Sequence, residues 1–359
     1  MAAATEVVLI TGFTGFLGRR LVAELLAARP RASVVALVRA ASMARARQAV
    51  AQLGPELAAA ERVELVSGDL ATEGLALQAP GELAGRVVEI FHLAALYDLA
   101  CTAAAAAAAN VDGSRRLLAF AASCPQLRRL HYVSTCYVAG THAGRFHEDE
   151  LDVGQGFLNH YDRTKFAAEK LVRDYRGPGQ VTVYRPAIVV GDATHGDFDK
   201  VDGPYLVMEA MQRLPSPGLF ARIGSGAAPV NLVPVDFVVR SLAYLSARPD
   251  TAGGCYHLAD PQPMTAFQIQ RRTMALLDRH FLLVPLPASW VAASLRWRSL
   301  SRLVGLPPEV VPYFDYRAEF DTSRCQAALA ASGIRCPALA DYLPVLVRAW
   351  KDRRGANLS

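Results

Sequence analysis

The chain has 359 residues, 52% hydrophobic and 20% charged, with a formal net charge of +5. This suits one large α/β unit or two closely joined domains with ample core. The basic excess forms no Lys/Arg cluster, which excludes a nucleic-acid signature while mildly favouring anionic ligands. Six cysteines (Cys101, Cys124, Cys136, Cys255, Cys325, Cys336) show neither C-x-x-C nor zinc spacing and read as reduced thiols of a cytosolic core. The beginning, MAAATEVV, lacks a charged segment before an apolar run, so no signal peptide is expected. The longest apolar stretch, Phe281 to Leu295, is broken by Pro285 and Pro287 and is too short to span a bilayer.

The first predicted element is a buried strand at Val7–Ile10, running directly into a turn with Gly12, Gly15 and Gly18. A helix follows, with Leu21, Val22, Leu25 and Leu26 on one side. Strand, glycine turn and helix N-terminus in that order make a pyrophosphate cradle, because free N–H groups and a partial positive charge meet a backbone that a phosphate can approach. The spacing is G-x-x-G-x-x-G, and a strand–turn–helix without ligand has the same appearance.

A second strand is predicted at Ser33–Val38, with Arg39 at its end. An acidic residue there would bind the ribose hydroxyls of NAD, whereas an Arg pairs with the 2′-phosphate of NADP. Arg45 and Arg47 add charge nearby. A third strand, Val63–Val66, leads into Ser67-Gly68-Asp69-Leu70, where Asp69 either accepts from an adenine amino group or is an ordinary turn residue. The fourth, Val87–His92, ends in the small run Leu93-Ala94-Ala95. Ala103–Ala109 is predicted as helix, interrupted or continued by Asn110–Ser114.

Strands at Leu130–Ser134 and Val181–Tyr184 complete an alternating β/α pattern, which predicts a doubly wound parallel sheet of Rossmann type. From Gly191 the character changes. Residues 191–203 read as a polar mobile loop, followed by a helix at Tyr205–Leu214, a short strand and helix from Asn231 that return to the sheet, and a strand at Tyr256–Leu258. The expected division is a Rossmann domain over 1–190, rejoined by 230–260, with a smaller, mostly helical C-terminal substrate lobe over 191–229 and 261–354. Phe281–Leu306, with Trp290, Trp297, Arg296, Arg298 and Arg302, reads either as buried lobe helices lining an apolar tunnel or as a peripheral membrane contact.

Tyr161 and Lys165 stand at i and i+4 on one helical face, downstream of Thr135 at a strand end. Hydride delivery to a carbonyl creates an oxyanion that must be protonated. A tyrosine serves this best when its pKa falls from ~10 toward neutral, as a neighbouring ammonium favours. The Lys can also hold a nicotinamide ribose, and the Thr hydroxyl can orient the carbonyl. A satisfied core tyrosine is the bland alternative, which the ordered motifs ahead of it disfavour.

TGFTGFLG, GDL, HLAA, NVDGS, VSTCYVAG, YDRTK and YRP resemble the extended short-chain dehydrogenase/reductases, in family order over nearly the whole chain. VSTCYVAG, KVDGPY, NLVPVDFV and FHLAALYDL are similar to the fatty acyl-CoA and thioester reductase branch. The resemblance implies NADPH as cofactor, with Thr11, Gly12, Thr14, Gly15, Phe16, Leu17 and Gly18 around the pyrophosphate and Arg39 on the 2′-phosphate. Asp69 and Leu70 would flank adenine, with Leu93, Ala94 and Ala95 along the cofactor. Thr135, Tyr161 and Lys165 would form the catalytic set, and Asn110 would hold a relay water.

The expected substrate is an acyl thioester or fatty aldehyde, carried on CoA or a carrier protein. A homodimer is compatible, and no nucleic acid or metal is expected. The competing readings are a ketone or β-keto-acyl reductase, an NAD-dependent epimerase or dehydratase (disfavoured by Arg39), and a regulator that senses the cofactor without turnover. Cys136 is expected to pack as a thiol pointing away from Thr135. His142, His147 and His160 have no metal spacing. Glu148-Asp149-Glu150 reads as a solvated turn, and Arg185-Pro186 as structural.

Overall fold

A computed structural model describes residues 6–54, 57–98 and 100–356. Met1–Thr5, on which the leader reading partly rests, and Leu99, which closes FHLAALYDL, lie outside the described residues. Seven parallel strands form the main sheet. They are β1 (Glu6–Thr11), β2 (Ala32–Val38), β3 (Val63–Ser67), β4 (Val87–His92), β5 (Arg129–Val133), β7 (Gln180–Pro186) and β11 (Cys255–Leu258). Their order across the sheet is β11-β7-β5-β4-β1-β2-β3. This is the doubly wound order, which places the crevice between β1 and β4, where the winding direction reverses.

Alternation along the strands builds two cores. Val8, Ile10, Val34, Ala36 and Val38 face Leu21, Val22 and Leu25 of the helix Phe16–Ala28, and Val238 and Leu242 of the helix Val235–Ala247. Val7, Leu9, Val35 and Leu37 face Leu117 and Phe120 of the helix Gly113–Ala122, and Val172 of the helix His160–Arg173. Both faces are covered, so these strands read as continuous apolar runs.

Three two-stranded parallel pairs complete the set. β6 (Gly144–Phe146) pairs with β13 (Ala318–Phe320), and β8 (Ile188–Val190) with β10 (Leu232–Pro234). β9 (Gly218–Ile223) pairs with β12 (Phe281–Leu286). The last corrects the helical reading of Phe281–Leu306: its first six residues form a strand, because Leu283 packs with Phe220 on one face while Leu282 and Leu219 stay exposed. The remainder is two short helices, Ala288–Leu295 and Arg298–Val304, that bury Val291 and Leu295 and leave Trp290 and Trp297 in solvent. Among the described residues, no helix is long and apolar enough to cross a membrane.

The alanine run continues rather than breaks. Helix Ala103–Ala106 passes through a π-helical turn, Ala107–Asp112, into Gly113–Ala122. The loop 191–203 is more organised than its composition suggests. The Asp192 carboxylate accepts from the backbone N–H groups of Thr194, His195 and Asp197, and Arg353 donates to the carbonyls of Phe198 and Asp199. Arg19 on the first helix pairs with Asp199.

Two of the buried acidic residues tie distant segments together. Glu148 is no part of a solvated turn: it is 2% exposed and accepts from the backbone N–H of His257, Arg324 and Cys325, which pins the C-terminal segment to β11. A carboxylate beside two others in sequence reads as solvated, but distant amides claim it. Arg185, fully buried, donates to Glu169 at 2.7 Å and to Nε2 of His257 at 3.0 Å, as the structural reading expects. Removing one member of such a pair strands the other charge in the core. Glu169→Ala is therefore expected to lower unfolding free energy by about 3–5 kcal/mol in urea titration. A loss below about 1 kcal/mol would contradict the assignment.

Candidate active site

At the carboxyl ends of β1, β4, β5 and β7 lies a cavity of about 510 Å³. Its wall brings together Gly12, Gly15, Phe16, Leu17 and Gly18 with Leu93 and Ala95, and with Thr135, Tyr161 and Lys165. Residues as far apart in the chain as Gly12 and Phe314 thus share one surface.

The glycine turn is shaped by close approach. Gly12 has φ +79°, and a Cβ there would lie 2.8 Å from the backbone nitrogen of Ala94. A Cβ on Gly18 would lie 2.2 Å from the Gly12 carbonyl oxygen, with only backbone to give way. Gly15 caps the helix Phe16–Ala28 without a side-chain bond, and no acidic residue occupies its first turn. The helix end therefore keeps free N–H groups and an uncompensated positive dipole, which fits the pyrophosphate of a dinucleotide.

Beside the turn runs a chain of buried hydrogen bonds. The Ala94 N–H donates to the Thr11 hydroxyl at 3.3 Å, and Thr11 lies 2.7 Å from Nδ1 of His92. Nε2 of His92 is 3.0 Å from the Ser114 hydroxyl, which donates to the Asn110 carbonyl at 2.6 Å. Since Ser114 commits its proton to Asn110, His92 donates from Nε2 and accepts at Nδ1. Burial, then the charge of Lys165, holds His92 down at about 3, so it is neutral. The Asn110 side chain accepts from Leu96 N–H at 2.7 Å and donates to Thr164 at 3.0 Å.

Asn159 caps the helix His160–Arg173 by accepting from the Asp162 N–H at 2.8 Å, which sets Tyr161 in the first turn at the cavity. Lys165 is 3% exposed. Its ammonium donates to the Val133 carbonyl at 2.7 Å and to the Tyr132 hydroxyl at 3.0 Å. Burial pulls its pKa down to about 7, against the attraction of Glu169. Burial, followed by Tyr97 and Asp162, pushes the Tyr161 phenol well above its ordinary value. Burial at the cavity wall thus outweighs the lowering expected from a neighbouring ammonium. Tyr161 is a protonated hydroxyl, with the Tyr97 ring edge-on at 5.0 Å.

Thr135 accepts from the Tyr137 N–H at 3.2 Å and donates weakly to the Pro186 carbonyl at 3.4 Å. Cys136 is fully buried with its thiol on the Arg185 carbonyl, a packed thiol. Arg45 reaches the cavity wall and donates to the Thr14 carbonyl at 2.7 Å, while Arg39 stands exposed at the end of β2 and Arg47 is exposed further along. Asp69 accepts from the Ala71 N–H, a turn bond, and the Leu70 carbonyl takes a bond from Arg116.

Several residues around the cavity carried no sequence signal. Tyr132 sits in an ordinary strand alternation, and Tyr313 and Phe314 come from a segment with no motif. Asp162 is 1% exposed; its Oδ2 accepts from Tyr313 at 2.8 Å and Asn159 at 3.0 Å, and burial lifts its pKa to about 7. No group of metal-binding residues occurs among the described residues.

Residues 10–242 match the family described as male sterility protein, an NAD-binding family. The chain belongs to this family. It is an extended short-chain dehydrogenase/reductase of the thioester reductase branch. The terminal R domain of the myxalamid PKS-NRPS pathway superposes with a TM-score of 0.81 at 27% identity, covering 99% of this chain and 92% of that one. Glycine betaine reductase ATRR of Emericella nidulans is 32% identical over 278 residues, 72% of this chain and 21% of the relative. The non-canonical nonribosomal peptide synthetase FrzA of Cladobotryum sp is 27% identical over 76% of this chain and 28% of its own length. The chain thus spans about a quarter of these curated relatives. As an extended short-chain dehydrogenase/reductase, the chain belongs to a family of NAD(P)-dependent oxidoreductases.

An anionic dinucleotide beside Lys165 should raise that ammonium's low pKa, so binding at pH 7.5 should take up a proton, up to about 0.8 equivalents if the free pKa is about 7. Calorimetric titration of NADPH in two buffers of different ionisation heat reads this. Uptake should vanish in Lys165→Met, and wild-type binding without uptake would contradict the buried lysine.

Proposed function

We propose that the protein is an NADPH-dependent reductase of an acyl group, presented as a thioester on CoA or a carrier protein or as the corresponding aldehyde. The observation that carries this is the shared cavity of the glycine turn with Thr135, Tyr161 and Lys165. In this reading Gly12, Gly15 and Gly18 hold the pyrophosphate, and bound NADPH supplies the hydride. The Tyr161 hydroxyl, kept protonated by burial, gives its proton to the carbonyl oxygen as charge develops there. Thr135, whose bond to Pro186 is long, turns its hydroxyl to the same oxygen. Lys165, fixed by Val133 and Tyr132, stabilises the tyrosinate left behind and holds the ribose. Asn110 acts as a positioning residue through Leu96 and Thr164.

A thioester reduced once gives an aldehyde and a free thiol, and a second hydride gives an alcohol. The relatives named after peptide synthetases support a carrier-bound thioester. Arg39 and Arg45, both near the cofactor end of β2, support NADPH over NADH through a 2′-phosphate contact.

With NADPH and an acyl-CoA, the matching aldehyde and a β-keto thioester as substrates, absorbance at the reduced nicotinamide band should fall with an acyl substrate. No oxidation with any of them would refute the proposal. Tyr161→Phe should lower kcat by about 10²–10⁴-fold, the usual weight of a general acid, with NADPH affinity nearly unchanged. Retained turnover would remove Tyr161 from the mechanism.

Arg39→Ala should raise KM for NADPH selectively over that for NADH, by about tenfold if one charge-assisted contact of roughly 1.5 kcal/mol is lost. An unchanged ratio would assign the phosphate elsewhere, and the same measurement on Arg45→Ala would show whether the cavity-wall arginine takes that part.

A further inference from the structure

Large apolar side chains that stay in solvent are concentrated in one part of the molecule. Eight are exposed among the described residues. Five of them, Leu219, Leu282, Trp290, Trp297 and Leu303, lie on β9, on β12, or on and between the two short helices after β12. The two tryptophans are 70% and 74% exposed.

These elements meet. Leu219 and Leu282 are register partners across the β9–β12 pair, so their side chains stand side by side on one face. Leu219, Ser294, Leu300 and Val304 wall one small cavity, which joins that face to both helices. Trp290 is one helical turn before Ser294, Trp297 lies between the helices, and Leu303 is one turn beyond Leu300.

The patch is basic as well as apolar. Between Glu209 and Asp236, and again between Asp278 and Glu309, the chain has no acidic residue. The same stretches hold six arginines, of which Arg213, Arg296, Arg298 and Arg302 are exposed. Arg213 is tied to the second helix by donating to the Arg302 carbonyl at 2.9 Å. Glu209, at the edge, is already held by Arg354 at 2.6 Å. A single exposed leucine needs no partner, but a continuous apolar patch marks a contact surface.

We infer that this face is a docking surface for an anionic lipid bilayer. The protein lies on one leaflet, with Trp290 and Trp297 at the headgroup boundary and the arginines among the lipid phosphates. Tryptophan suits that depth because its ring is apolar while its N–H still reaches water or a headgroup. Arginine stems cover carbon surface while their guanidinium groups reach outward. The contact is peripheral, since no helix among the described residues is long and apolar enough to cross a membrane.

An acidic carrier protein is the rival partner. A carrier that delivers a thioester must dock beside the large cavity, and none of the five apolar side chains belongs to that cavity's wall. A bilayer has no such requirement. It also matches the spread of the patch over two strands and two helices, and its single sign of charge.

The test uses the full chain with vesicles of phosphatidylcholine, alone or mixed with phosphatidylserine. Sedimentation should show binding to the mixed vesicles that weakens as salt screens the headgroups. Arg296→Gln and Arg298→Gln should each weaken it by about fivefold, and Trp290→Ser combined with Trp297→Ser by about tenfold or more. Two of the three tryptophans lie in the patch, and the third, Trp350, is buried. Wild-type emission should therefore shift to the blue on binding, and brominated acyl chains should quench it. The double serine variant should show neither change.

The emission readouts on the wild type keep the surface testable if a substitution disturbs folding, and none of them depends on reductase activity. Absence of binding, or binding without quenching, would overturn the docking surface. Equal binding to both kinds of vesicle would overturn its preference for anionic lipid. A dimer that the double serine variant dissolves, or saturable binding of an acidic carrier protein that this variant loses, would overturn the proposal by giving the face to a protein partner.

Discussion

The neutral imidazole of His92 joins the parts of this site. It is buried at the end of β4 and passes hydrogen-bond direction from Ala94 and Thr11 on one side to Ser114 and Asn110 on the other. Each member has one proton to give, so the whole run has a single consistent direction. A charged His92 would have two donors and would break it. Burial prevents that by holding the imidazole neutral at any ordinary pH. The run of bonds fixes the Ala94–Leu96 backbone, which closes against Gly12, and the helix His160–Arg173, which Asn110 reaches through Thr164.

Burial has opposite consequences for Tyr161 and Lys165. It disfavours charge, so it lowers the lysine and raises the tyrosine. On the proposed reading, the negative charge of a bound dinucleotide favours the ammonium, the partner able to stabilise the tyrosine's conjugate base.

The C-terminal region contributes walls rather than reacting groups. Tyr313 holds the Asp162 carboxyl beside Tyr161, and Val310, Tyr313 and Phe314 close the large cavity from above the helix His160–Arg173. On the proposed reading, the strand ends of the main sheet carry the cofactor and proton chemistry, and the C-terminal region walls the cavity around them.

Much of this was legible in the chain itself. Strand ends near His92, Thr135 and Tyr184, the glycine turn and the Y-x-x-x-K helix are local patterns, because period, glycine placement and i, i+4 spacing are set by neighbours in sequence. They determine the doubly wound sheet and the residue types at its carboxyl edge. What the tertiary structure alone decided depends on partners far along the chain. Glu148 looks solvated until the amides of His257, Arg324 and Cys325 meet it. Lys165 looks wholly free to face Tyr161 until Tyr132 and Val133 take two of its three ammonium donors. Phe281–Leu286 reads as helix until Gly218–Ile223 pairs with it. Burial, charge state and strand pairing are properties of the assembled surroundings, and no local pattern encodes them.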